Sequence, residues 1–189
     1  LKEETVNQTL TLIKQNPGIS VHGSLPCTVW CLRQAQNCAT KGPDYSKELF
    51  HRRAKAKLMI KMFVKIASAA LENGGHVSFE WPRHCTGWLQ QDLLDFIAKY
   101  GLVEALPDGC ACGMKNKREE PILKPWRIVT SSKWLADELD ELKCKHEPGF
   151  KHGELSGGTE TAKTSRYPEK LCRTYFAALF GAHQHAPCM

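Results

Sequence analysis

Helix-type and strand-type patterns alternate four times between residues 3 and 142 with short connections, and this limits the chain to few architectures. Val6, Leu10 and Ile13 recur at helical spacing until Asn16-Pro17-Gly18 stops them. Ile19 and Val21 then form a short apolar strand that ends at Gly23-Ser24 and runs into Pro26-Cys27-Thr28. The stretch to Pro43-Asp44 has no periodicity and is expected to be a loop. A long helix is expected from Ser46 to Glu72, ended by Asn73-Gly74-Gly75, with an apolar row Phe50, Ala54, Leu58, Met62 and Ile66. His76 to Glu80 predicts a second strand, stopped by Pro82, and Trp88, Leu93, Phe96, Ile97 and Tyr100 predict a helix closed by Gly101. Short strands are expected at 102–106, 110–114 and 124–130, with a flexible charged loop from Lys115 to Glu120. Ser131 or Ser132 caps a helix holding Trp134, Leu135, Leu139 and Leu142. The alternation predicts an α/β domain over 1–142, a mostly parallel sheet with flanking helices. Residues 143–189 form an irregular C-terminal subdomain, with a Cys/His loop and a terminal helix that starts near Pro168.

At 189 residues the chain can bury a real core, and it contains no apolar run of the roughly 18 residues that a membrane span needs. The start at Leu1 rather than Met suggests a piece of something longer. Nine cysteines at irregular spacing, an odd number, read as reduced thiols of an intracellular protein, in nucleus or cytoplasm, some of them available to a metal. The formal charge of +6 permits nucleic acid as a partner without requiring it.

Three groups of residues carry chemistry. Cys27 stands where open α/β sheets place ligands, at the end of a strand, and reads either as an activated nucleophile or as a packed thiol. Arg53, Lys57, Lys61 and Lys65 lie four apart on the long helix, as a solvated face or as a polyanion-binding row. Cys144 and His146, with His152 after five further residues, place soft ligands in one loop, and Cys110 or Cys112 at a sheet edge could face them. Zinc takes four such ligands in a tetrahedron. The alternative is surface histidines and packed cysteines.

The order strand, Pro26-Cys27, long helix, strand ending in Glu80 before Pro82, helix, Asp108-Gly-Cys-Ala-Cys-Gly-Met114 and Lys124-Pro-Trp-Arg-Ile-Val-Thr130 resembles the later part of the DNA cytosine-5 methyltransferase catalytic domain. The likeness covers about residues 18–142 and is nearest to short, divergent members in phages and mobile elements. The Pro-Cys-Thr loop, Glu80-Trp-Pro82, Lys124-Pro-Trp126 and the Cys/His loop together also resemble retroelement polyprotein segments. The methyltransferase resemblance implies a Rossmann-like scaffold, S-adenosylmethionine as cofactor and DNA as partner. Cys27 would add to carbon 6 of a flipped-out cytosine while Glu80 protonates ring nitrogen 3, and Arg127 lies near the family's base- and backbone-contacting arginines. Glu80 also reads as a carboxylate that caps a neighbouring helix.

Two positions depart from the family. Trp81 replaces an Asn that braces the loop and contacts the base, and the 25 residues before Pro26 contain no glycine-rich cofactor turn. The leading expectation is therefore an incomplete or degenerate methyltransferase-like domain. The competing one is a non-catalytic nucleic-acid-binding domain of a mobile-element polyprotein, stabilised by zinc.

Overall fold

The computed structural model of the chain describes residues 2–155 and 164–184. It divides into two compact units, residues 1–102 with 129–131 and residues 103–128 with 132–189. The first contains α1 (Glu3–Gln15), β1 (Val21–Gly23), α2 (Arg33–Lys41), α3 (Pro43–Glu72), β2 (Val77–Pro82) and α4 (Gln91–Tyr100). The second contains β3 (Val103–Ala105), α5 (Lys133–Asp140) and α6 (Glu169–Gln184), while β4 (Trp126–Thr130) gives its first residues to the second unit and its last to the first.

β1 and β2 are parallel, with Val21 opposite Val77 and Gly23 opposite Phe79, and α3 provides most of the crossover between them. In the first unit the order continues from β2 to the end of β4, where the Ser131 N–H donates to the Val77 carbonyl at 2.9 Å. In the second, the start of β4 lies beside β3. The four-stranded sheet is mostly antiparallel, which corrects the expectation of a mostly parallel one. A parallel return needs a crossover, usually helical. Residues 106–125 contain no helix: Cys110–Met114, expected as a strand, folds as tight turns, with the Ala111 N–H on the Asp108 carbonyl and the Met114 N–H on the Gly109 carbonyl.

Ile13, Ile60, Phe63, Phe79, Trp81, Trp88, Leu93 and Phe96 form the core of the first unit. Phe79 lies 4.8 Å from both Phe63 and Trp81 between ring centroids, and 5.6 Å from Trp88. Each such ring contributes roughly 1.5–3 kcal/mol through burial. Gly23 is required here, because a Cβ would stand 2.3 Å from the Phe63 ring.

α3 does not bury the expected apolar row. Its core side is Leu49, Ile60, Phe63, Ile66, Ala67 and Ala70, whereas Phe50 and Leu58 are exposed by 71% and 54%. Residues four apart advance about 40° beyond a full turn at each step, so the row from Phe50 to Ile66 winds from solvent into the core. The region expected to be a loop after Cys27 holds a short 3-10 turn (Thr28–Trp30) and α2.

The second unit packs Ala105, Trp126, Ile128, Leu135, Leu139, Leu171 and Ala178 together. α5 is capped by Ser132, whose hydroxyl accepts the Leu135 N–H at 3.2 Å. α5 shares this core with the 103–128 segment, in the same compact unit. No helix among the described residues is long and apolar enough to cross a membrane.

Candidate metal centre

Asp108 organises the site from below. It is buried, its N–H donates to the Leu142 carbonyl at 2.8 Å, and its Oδ2 accepts the Cys144 N–H at 2.9 Å. Its own carbonyl accepts the Ala111 and Cys112 N–H groups, closing the turn that carries Cys110. One residue, through its side chain and its main-chain carbonyl, thereby anchors the segments of two cysteines 34 positions apart in sequence.

His146 and His152 complete the set. Nδ1 of His146 is 3.2 Å from the Cys144 sulfur, and Nε2 of His152 is 3.4 Å from it. The ligand atoms of Cys110, Cys144, His146 and His152 all lie within 4.8 Å of one another. Phe150 stacks on His146 with centroids 4.0 Å apart and meets His152 edge-on at 5.0 Å, which fixes both ring planes. Gly153 brings the next residue against the 115–121 hairpin, where a Cβ would stand 2.6 Å from Asn116 Nδ2. Asn116 is itself buried, accepting the Arg118 and Glu120 N–H groups and donating to the Glu154 carbonyl at 3.2 Å. The segment expected to be flexible is thus a folded brace for His152.

This donor set fits a soft divalent cation. Zn–S near 2.3 Å and Zn–N near 2.0–2.1 Å give tetrahedral edges of about 3.4–3.8 Å, close to the separations seen here. Two sulfurs and two imidazole nitrogens complete the tetrahedron and leave no open position, the arrangement of a structural centre. Desolvation chiefly, then the hydrogen bond and charge of Cys144, push the Cys110 thiol up to about 12. A bound cation would reverse this, since coordination deprotonates a thiol. Cys112 belongs elsewhere: it is buried in the core, and burial pushes its thiol up to about 11.

The first unit holds the other sequence candidates. Glu80 lies buried within β2, which runs on to Pro82 rather than ending at Glu80 as expected, and its Oε2 accepts the Ser24 hydroxyl at 3.1 Å. Trp81 Nε1 donates to the Leu25 carbonyl at 2.5 Å. These two bonds tie the segment before Pro26-Cys27 to the end of β2, and Cys27 caps the 3-10 turn that follows. Trp81, which departs from the family's Asn, braces this loop through its indole. Cys85 is buried nearby, its thiol pushed up to about 11 by desolvation first and by the charges of Cys27, Cys31 and Glu80 after it. Arg127 belongs to the second unit, where its Nε pairs with Glu104 Oε2 at 2.8 Å. Among the described residues before Pro26, the helix α1 precedes the strand β1.

The basic row divides. Lys57, Lys61 and Lys65 are exposed, whereas Arg53 is half-buried, donating from Nε to the Val29 carbonyl at 3.1 Å and lying over the Trp30 ring. The winding that misplaced the apolar row accounts for this too.

No family model matches the chain, and no curated protein or solved structure matches it.

Proposed function

We propose that the second unit is a zinc-stabilised domain in which Cys110, Cys144, His146 and His152 hold one structural Zn2+. The convergence of four soft donor atoms within 4.8 Å carries this reading. The ion would link the Asp108–Met114 turn to the loop after α5, supplying cohesion to a unit whose apolar core is modest. Zinc binding contributes folding free energy directly, about 10–16 kcal/mol in zinc-finger peptides. The full chain, purified without chelator, should retain one equivalent of zinc by elemental analysis, and Cys144→Ser should lose it. A chain free of zinc that also gains no thermal stability when zinc is added would refute the reading.

A second reading is favoured by one observation, the Ser24–Glu80 and Leu25–Trp81 bonds that secure the Pro-Cys loop beside a buried carboxylate. We infer from it cytosine-5 methyltransferase-like chemistry on DNA. The Cys27 thiolate would add to carbon 6 of a flipped cytosine while Glu80 protonates nitrogen 3, leaving carbon 5 nucleophilic. S-adenosylmethionine would supply the methyl group, and no residue here is assigned to hold it. DNA containing 5-fluorocytosine, incubated with the chain and S-adenosylmethionine, should form a denaturation-resistant adduct that Cys27→Ser abolishes. No adduct with the unaltered chain removes this reading and leaves the zinc reading untouched.

A further inference from the structure

From Leu49 to Leu71 the chain has no acidic residue, while Arg52, Arg53, Lys55, Lys57, Lys61 and Lys65 contribute six cations. All of them lie on α3, whose 30 residues make a rod about 45 Å long. At about 100° per residue, Lys61 and Lys65 fall on the side turned away from Leu49, Ile60, Phe63 and Ala67, which face the core, and Lys57 flanks them, about 60° round from Ile60. Among the described residues these three lysines have no ion-pair partner. The acids that flank the stretch are engaged: Glu48 approaches Arg52 at 3.7 Å, and Glu72 meets Lys99 at 4.0 Å and accepts the Tyr100 hydroxyl at 2.7 Å. Like charges one turn apart destabilise a helix unless something screens them.

The same side exposes apolar surface. Leu58 lies between Lys57 and Lys61, and Phe50 about two turns before them on the same side, at 54% and 71% exposure. The combination is what single-stranded nucleic acid uses: cations along the backbone and an apolar, π-faced surface for unstacked bases. A duplex hides its base faces and has no use for Phe50.

We propose that the outward face of α3, comprising Phe50, Lys57, Leu58, Lys61 and Lys65, docks a single-stranded nucleic acid. Arg53 is not part of it, its guanidinium being held by Val29 and Trp30. The surface lies wholly within the first unit and depends on neither the zinc centre nor the chemistry of Cys27.

The test is fluorescence anisotropy of the full chain with a labelled oligothymidylate of about 20 nucleotides across a salt series. Lys57→Ala, Lys61→Ala and Lys65→Ala combined should weaken binding at low salt by about tenfold or more, and should lower the slope of log K against log salt by about 2. Phe50→Ala should weaken binding with the slope unchanged, and the triple Lys→Arg variant should bind as the unaltered chain does. Circular dichroism checks that the variants fold. No binding at low salt, or equal affinity for the triple alanine variant, would overturn the proposal. So would tighter binding to a duplex, or to poly-glutamate, the latter assigning the face to an acidic protein partner.

Discussion

Asp108 Oδ2 accepts the backbone N–H of Cys144 at 2.9 Å, so a buried carboxylate fixes the position of one candidate ligand while its own turn presents another, Cys110. Asp108→Ala removes the acceptor and leaves that N–H without it. Partners of this outer kind usually contribute 10–100-fold to metal affinity, and a loss of about that size is expected here. Competition with a chelating dye measures it, and unchanged affinity would show that Asp108 does not position the ligand.

Zinc affinity should rise with pH. The metal-free Cys110 thiol, pushed up to about 12, holds its proton through the neutral range, and zinc must displace it. A proton is therefore released on binding, and acid drives the metal off. Each displaced proton changes the affinity about tenfold per pH unit. The dye competition repeated between about pH 7 and 8 reads the slope directly.

Alkali should destabilise the first unit through Cys85. Its folded thiol is pushed from an ordinary 9.0 up to about 11, so the folded state holds a proton that the unfolded state releases. The associated stability is complete below about pH 9 and is lost as pH rises towards 11. Melting temperature followed across this window should fall, and less steeply in Cys85→Ala.

Two substitutions test the brace on the Pro-Cys loop. Trp81→Phe removes the indole donor and leaves the Leu25 carbonyl without it, a change costing about 1–3 kcal/mol. Gly87→Ala places a Cβ 2.3 Å from the Trp81 ring, an overpacking of about 1–3 kcal/mol. Chemical denaturation measures both, and a neutral Gly87→Ala would mean the ring is free to move aside.

What the sequence made legible were features set by local chemistry. Asn16-Pro17-Gly18 ends α1, Gly101 ends α4 in the left-handed region, and Ser132 caps α5. Of the four candidate ligands, Cys144, His146 and His152 were legible by type and short spacing, whereas the sequence left Cys110 and Cys112 undecided and surface histidines with packed cysteines as the alternative. α2 was not legible because its buried residue is Gln34, which donates to the Thr28 carbonyl at 2.7 Å and accepts the Tyr45 hydroxyl at 2.6 Å, so no apolar stripe marks it. Strand direction was hidden because period-two alternation is the same in parallel and antiparallel strands. The turn at 110–114 was hidden because the bonds that close it are made by the backbone carbonyls of Asp108, Gly109 and Cys110, which the apolar pattern of its side chains does not register.

The most direct test of the zinc-centre account is the visible spectrum of the chain reconstituted with Co2+, whose d–d bands report geometry and whose charge-transfer bands report thiolate ligands. Intense d–d bands with thiolate-to-metal charge transfer, displaced by one equivalent of Zn2+ and lost in Cys144→Ser, are the predicted result. Weak bands of octahedral Co2+ without thiolate transitions would contradict it, and the four side chains would then be neighbours without an ion.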